Sequence, residues 1–400
     1  MSDAGGVIVV GAGPVGLTAA YLLADAGLPV TVLEKEPGVP HQLRASTWHP
    51  PTLDMLEPSG FTDVLIAHGR ITPTWQIRLH ETGERAEFDL SVLSGETGHP
   101  YRLQCEQAAY CDAVVDRLAR MDNASLRFGE DVAASGQSDD AAWVEVGPAN
   151  GERKRHEAAY VIGCDGARSV IREAMGARFD GSAYPEITIL ATTTFPFETV
   201  LDGLSGVNYI WKDGGTFSLL HLPELWRCAF YPEIGQTPEA ALRDEVIQRH
   251  VDEISPAIGA IEIKEKRAYR VHQRIADTYR NGRLFLAGDA AHLNSPKGGM
   301  GMNGGIHDAF SLSDKIIAVL KGADPALLER YEPERRPVAL DDILGQADAN
   351  RARMNETDAD VRRQSLRNLQ AIAADLERCR AFLLRSSMID GLRKAARLAD

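Results

Sequence analysis

Two clusters of glycine, each with a carboxylate in reach, are the residues of this 400-residue chain best suited to hold a ligand. The first is Gly11-Ala12-Gly13-Pro14-Val15-Gly16, followed about twenty positions on by Glu34. Glycines at that spacing let a backbone approach a pyrophosphate at a helix start, and a carboxylate ending the next strand binds ribose hydroxyls. The second cluster follows the apolar run Leu284-Phe285-Leu286-Ala287, which stops at Gly288-Asp289 and leads to Gly298, Gly299, Gly301, Gly304 and Gly305. Glycine at such density lets N–H groups crowd an electron-rich or anionic group, and a helix start adds partial positive charge. Gly299-x-Gly301-x-x-Gly304 also fits the bare dinucleotide pattern, but Asp289 to Lys297 separate it from its strand, so it reads as a cradle and not as a second nucleotide site.

The elements that must position these residues are legible from hydrophobic patterning. Val7 to Val10 is a buried strand, Leu17, Ala20, Leu23 and Ala24 mark a helix ended by Gly27, and Val30 to Leu33 is a strand ending at Glu34. Thr74 to His80 and Arg85 to Leu90 alternate as a hairpin around Glu81-Thr82-Gly83-Glu84. Tyr101 to Gln104 leads into a helix through Ala109, Ala113, Val114 and Leu118. Leu126 to Phe128 and Trp143 to Val146 read as strands, with a polar turn at Ser135 to Asp140, and Ala159 to Cys164 is a buried strand ending in Asp165-Gly166-Ala167-Arg168-Ser169. From about Phe179 to Arg270 the character changes. Val207 to Trp211, Thr216 to His221 and Trp226 to Tyr231 alternate as antiparallel strands, Glu239 to His250 reads as a helix across one face, and the other face is left for a ligand. The helix after the second glycine cluster is expected from Ile306. In the tail, Thr357 to Asp360 offers a cap, and Leu366, Leu369, Ile372, Leu376, Cys379 and Leu383 form one apolar stripe that packs on the protein's own body.

Asp289, His292, Pro296 and Asn303 sit at characteristic places in this glycine-rich stretch. Together with GAGPVG and CDGARS in the same order along the chain, the stretch resembles the signatures of the FAD-dependent aromatic hydroxylases. These are single-component class A flavoprotein monooxygenases, the family of p-hydroxybenzoate and salicylate hydroxylases. The resemblance implies an α/β fold in which a Rossmann-like FAD-binding domain (1–72, 98–178 and 271–345) is interleaved with a mainly antiparallel β-sheet substrate domain (73–97 and 179–270), followed by a helical tail (346–400). It implies that Gly11, Gly13, Pro14, Val15 and Gly16 meet the ADP half of FAD, with Glu34 and Lys35 at the ribose. Arg44, Gln104 and Asp165 contact the cofactor, and Gly288 and Asp289 hold its ribityl chain. Pro296, Gly299, Gly301, Met302 and Asn303 lie against its ring. In that family NAD(P)H reduces FAD, oxygen adds at the flavin C4a carbon, and the hydroperoxide delivers a hydroxyl to an electron-rich ring. The same flavin chemistry also serves Baeyer-Villiger oxidation or epoxidation, and a flavin scaffold that binds a partner without turnover is the non-enzymatic alternative.

Composition narrows the partners. A net charge of −14 disfavours nucleic acid and anionic membrane surfaces, and no apolar run approaches the ~20 residues of a membrane span. The expected partners are a phenol-like aromatic or heteroaromatic substrate, NAD(P)H and O2, in a monomer or homodimer within a reducing cytoplasm. Cys105, Cys111, Cys164, Cys228 and Cys379 have no metal-site spacing and are expected as buried thiols, and no metal is expected. Alternation puts Phe217, Leu219 and His221 on one face of a strand. His221 and Tyr209 are therefore expected as polar contacts to substrate, with Pro296 as the third catalytic residue and Trp211 as wall or core. The resemblance implies carboxylate-binding arginines in the middle sheet, and Arg227 is the one candidate counterpart, which counts against a benzoate-like substrate.

Overall fold

The computed structural model of the protein describes residues 5–147, 152–232 and 235–399. Val7–Val10 is buried at every residue, as a strand covered on both faces must be. It lies within a six-stranded sheet ordered Arg280–Asn281, Leu284–Leu286, Tyr160–Gly163, Val7–Val10, Val30–Glu34 and Ala124–Phe128. Only the Arg280–Asn281 edge pairs antiparallel. The parallel strands therefore end along one edge, where Gly11, Glu34, Cys164-Asp165 and Gly288-Asp289 follow them. The Pro14–Asp25 helix packs on this sheet through Leu17, Ala20 and Leu23, each fully buried, and Gly27 ends it at φ +86°.

The second large sheet has eight strands, ordered His292–Leu293, Glu265–Ala276, Phe179–Thr193, Trp226–Phe230, Gly215–His221, Val207–Lys212, Thr74–Leu79 and Arg85–Asp89. It is antiparallel apart from the parallel pair Val207–Lys212 and Thr74–Leu79, through which the early hairpin joins the later strands. The expected strands of the middle region agree with these bounds to within a residue. Cross-strand partners point to the same face. On one face Phe217, Leu219, Trp226, Cys228 and Phe230 pack with Ile247 and Val251 of the Asp244–Asp252 helix. On the other, Trp75, Ile77, Val207, Tyr209 and Trp211 pack with Leu366, Leu369 and Leu383 of the tail. Both faces are thus covered, where one covered face was expected, and the ligand space is a cavity between the sheet and the elements that cover it. The helix expected over Glu239 to His250 is broken into Pro238–Ala241 and Asp244–Asp252.

Two further local expectations are corrected. Ser135 to Asp140 is not a turn: Val132–Gln137 is a strand beside Ala142–Val146, and the reversal tightens to Ser138–Ala141. Gly136, within that stretch, is overlaid by the Trp143 ring, 2.4 Å from where its Cβ would be. The tail stripe is also interrupted. Asp358 caps Ala359–Ala373 by accepting from the Asp360 and Val361 amides, and Asp375 opens a new helix, Leu376–Ser386. The break leaves Leu376 69% exposed while Leu366, Leu369, Cys379 and Leu383 stay buried. Four of the five cysteines are buried and Cys164 is half-buried, and none is bridged. Among the described residues no helix is long and apolar enough to cross a membrane.

Candidate functional site

Two long helices open at the strand-end edge, and each begins on glycine. Gly13 precedes Pro14–Asp25, Gly299 at φ +68° precedes Met300–Leu320, and neither has a side-chain cap. The first-turn N–H groups of a helix lack intrahelical partners and carry the positive end of its dipole, so both starts suit an anionic or electron-rich group. The first cluster divides its work. A Cβ on Gly11 would lie 2.4 Å from the Cys164 carbonyl oxygen and one on Gly16 2.0 Å from that of Gly11, whereas one on Gly13 meets nothing within 4 Å. Gly11 and Gly16 thus permit close chain packing, and Gly13 faces open space. Glu34 accepts from the Ala12 and Glu36 amides at 2.7 and 3.0 Å, with Lys35 exposed beside it.

Several buried groups on the same edge have bonding capacity left over. Asp165 accepts from the Val170 amide at 2.7 Å through one oxygen, while its Oδ1 is buried without a partner, and burial raises its carboxyl above the ordinary range. Gln104, completely buried at the end of its strand, accepts from Thr47 Oγ1 at 3.0 Å, and its Nε2 has no partner. Asp289 lies in a crevice, ringed by protein yet open to solvent on one side: burial raises its carboxyl, while His292 and Arg44 pull it down. Arg44 is exposed, and its backbone is pinned by Arg227, which donates to the Arg44 carbonyl at 2.7 Å and to Ser46 Oγ at 2.8 Å and also pairs with Glu106. Arg227 therefore supports this segment, and it is not among the residues lining the cavity described below. Glycine-edged helix starts, a ribose-type carboxylate and orphaned amide and carboxyl atoms fit FAD. Gly13, Glu34, Arg44, Gln104, Asp165 and Asp289 are the residues that would hold it.

The second glycine cluster differs from expectation in where its helix starts. The helix begins at Met300, not near Ile306, so Gly301, Gly304 and Gly305 lie inside it. Their missing Cβ atoms admit Asn294, Ile343 and Val15, which approach those positions to 2.6, 2.3 and 2.6 Å. Gly288, at φ +60°, also meets Val15. Asn303 is committed to protein: its Oδ1 accepts from the His49 amide at 2.9 Å, and its Nδ2 donates to the Thr47 and Gly299 carbonyls at 2.9 and 2.8 Å. That side chain staples Thr47 to His49 onto the helix, using both Nδ2 hydrogens and one lone pair of Oδ1. Met302 is buried, and Pro296 is exposed with its carbonyl accepting from the Gly299 amide. Sequence reading missed the anchor beneath. Asp308 accepts from Arg335 Nε at 2.7 Å, His292 Nε2 at 2.8 Å and the Gly288 amide at 3.2 Å. Burial pushes its carboxyl up, but Arg335 and His292 outweigh burial and leave it at about 2. The available signal was an acid within the apolar pattern of Ile306 to Leu312, which demands a buried cation.

Between this helix start and the Tyr209 face of the sheet lies a cavity of about 430 Å3, with Trp75, Ile77, Arg102, Tyr209, Lys297 and Gly298 in its wall. His221 does not share it. Tyr209 pairs with Ser218 and His221 with Trp226, so the two expected contacts lie on opposite faces. Phe217, Leu219 and His221 do share one face, but it is the face under the Asp244–Asp252 helix, where the His221 ring stacks on Trp226 at 4.1 Å. Trp211 is fully buried core. In place of His221 the cavity wall carries four basic residues, Arg102, Lys297, Arg353 and Arg385. Lys297 donates to Asn355 Oδ1 at 2.9 Å and lies 4.1 Å over the Tyr231 ring, and burial lowers its ammonium to about 8. Arg102 is 2% exposed, with its guanidinium 4.8 Å over the Trp75 ring. An aromatic slot with positive charge beside an electron-accepting helix start suits an electron-rich ring.

Comparison with known proteins agrees with this geometry. The family profile described as "FAD binding domain" matches residues 5–343. The para-nitrophenol 4-monooxygenase of Pseudomonas sp. (strain WBC-3) is 34% identical over 404 residues, covering 98% of each chain. The 6-hydroxy-3-succinoylpyridine 3-monooxygenase HspB of Pseudomonas putida is 31% identical, covering 94% of this chain and 96% of its own. The crystal structure of p-nitrophenol 4-monooxygenase PnpA from Pseudomonas putida superposes with a TM-score of 0.88 at 33% identity, over 97% of this chain and 98% of that one.

Proposed function

The chain belongs to the FAD-dependent aromatic hydroxylases, and on that premise we propose that its substrate is a compact, hydroxylated six-membered ring bound between the Met300 helix start and the Tyr209 face of the sheet. As a member of that family it is a flavoprotein monooxygenase that uses FAD and NAD(P)H to hydroxylate phenol-like rings. Bound FAD supplies the redox chemistry by which NAD(P)H and O2 yield one oxygen atom for the ring. The protein supplies position, dryness and charge. Trp75 and Ile77 wall the ring, Tyr209 offers a hydroxyl to its substituent, and the first-turn N–H groups at Met300 would favour negative charge on a cofactor held there. Pro296 and the Gly298 carbonyl, which accepts from His49 Nε2 at 2.9 Å, fix the loop between helix and ring.

The observation that carries this reading is the cavity of about 430 Å3, at the small end for ligand pockets, which favours one ring over a polyketide-sized skeleton. The names of two relatives, one for a nitrophenol and one for a hydroxypyridine, support the same size class. The division into a discontinuous FAD-binding part, a sheet part that receives substrate and a helical tail belongs to this proposal, as does action in the cytoplasm as a monomer or homodimer. The test is a panel of substituted phenols, hydroxypyridines and polycyclic phenols, each scored for stimulated NADH and NADPH oxidation by the FAD-loaded protein. Stimulation confined to monocyclic rings is expected. Stimulation by polycyclic rings alone would reject the size class.

A further inference from the structure

We propose that Arg102 is the residue by which this enzyme selects its ring, binding an ionised oxygen substituent of the aromatic substrate at the Tyr209 end of the cavity. The proposal rests on the hydroxylase reading above and adds the charge state and the anchor. Arg102 is 2% exposed and lines the cavity, yet its Nε and Nη1 have no hydrogen-bond partner. The Tyr209 hydroxyl, a hydrogen-bond partner, and the His49 ring are its polar side-chain neighbours, and among the described residues no carboxylate pairs with it. Three other buried arginines are engaged differently. Arg335 pairs with Asp308, Arg227 with Glu106, and Arg362 donates to the carbonyls of Lys212, Gly215 and Glu356. A buried guanidinium with free donors and no counterion is costly, and a ligand anion that accepts from those donors removes the cost.

The surroundings reinforce the sign of the site. Lys297 adds positive charge to the same wall. His49, fully buried near Arg102, donates Nε2–H to the Gly298 carbonyl and brings no negative charge. Asp341 and Asp342, also in the cavity wall, are paired with Lys394 at 2.6 and 3.5 Å. The anchor is also rigidly placed. Arg102 sits on the strand that carries Gln104, Gln104 is bonded to Thr47, and the Thr47 carbonyl is held by Asn303 of the Met300–Leu320 helix. Anion anchor and helix start are thus tied through two intervening side chains, which fixes where a bound ring sits relative to the cofactor. A phenolate and a ring carboxylate share this recognition chemistry.

The experiment titrates the FAD-loaded protein, without NAD(P)H, with 4-nitrophenol, 4-nitrobenzoate and the neutral 4-nitroanisole, reading dissociation constants from the flavin absorbance change. Wild type is expected to bind at least one of the two anions about tenfold or more tighter than the ether, and the tighter of the two identifies the oxyanion. Arg102→Met should abolish that preference, weakening the anion about tenfold or more with the ether unchanged, and Arg102→Lys should retain part of it. Equal affinity of wild type for all three probes, or an anion preference that persists in Arg102→Met, overturns the proposal. So does a loss of FAD affinity in Arg102→Met with the preference intact, which would assign Arg102 to the cofactor. If Arg102→Met does not fold, loss of the preference in Arg102→Lys, with FAD binding kept, decides in favour and its full persistence decides against. Absence of any phenol turnover with NAD(P)H would sink the hydroxylase reading and leave the anion result to stand or fall by itself.

Discussion

Individual side chains divide into those whose role follows from their place on a strand end and those whose role depends on register. Asp289 is of the first kind: a carboxylate directly after a parallel strand, in a crevice that also receives Arg44. Its replacement by alanine should weaken FAD by roughly 1.5–3 kcal/mol, the worth of hydrogen bonds to a charged group, as measured by FAD titration of the apoprotein. Unchanged affinity would remove Asp289 from the site. His221 and Tyr209 are of the second kind. Alternation identified which residues share a face, but not which face meets the cofactor, because that depends on strands far apart in sequence. The pairing of Tyr209 with Ser218 puts His221 on the far side, stacked on Trp226. His221→Ala should therefore leave substrate affinity and the ratio of product to NAD(P)H consumed at wild-type values, whereas Tyr209→Phe should lower one or both. A His221→Ala protein that binds FAD normally but uncouples would restore the histidine to the pocket. Arg102 was not legible at all, since an arginine in YRLQ reads as an ordinary strand residue until its burial and missing partner are seen.

At the scale of elements, the strand-turn-helix-strand unit at the N-terminus and the strand ending at Gly288 were readable because their apolar runs and glycines sit within a few residues of one another. The start of the second long helix was not. Gly301, Gly304 and Gly305 suggested loop, yet they lie in the helix and let neighbouring chain pack where a Cβ would stand. Gly305→Ala should consequently cost about 1–3 kcal/mol through overpacking against Val15 and Gly288, read as a lowered urea midpoint. An unchanged midpoint would mean that the gap relaxes freely. The same helix is held by Asp308. Asp308→Asn leaves Arg335 buried without its counterion and should destabilise the protein by about 3–5 kcal/mol at neutral pH. The Asp308 carboxyl is held at about 2, below its ordinary 3.8, so its stabilisation is complete above that ordinary value and is lost as pH falls toward 2. The gap between wild type and Asp308→Asn should narrow over that acid range, and a gap independent of pH would contradict the assignment.

For the whole molecule, the eight-stranded sheet, the Met300 helix start and the helical tail line the cavity, and the tail is part of its wall. Leu383, fully buried, packs in the cluster that includes Trp75, Phe88 and Trp211, so Leu383→Ala should cost about 2–5 kcal/mol while leaving FAD affinity intact. The alternation of motifs along the chain made the interleaved architecture readable. The closure of both sheet faces was not, because the tail's stripe does not say what it covers. What this architecture is for is tested most directly by oxygen-18. The FAD-loaded protein, given NADH or NADPH and a monocyclic phenol under 18O2, should return a ring product carrying one 18O atom, with none when the label is supplied only in water. Reduced cofactor consumed without label in any ring product, or label arriving from water, would contradict the account.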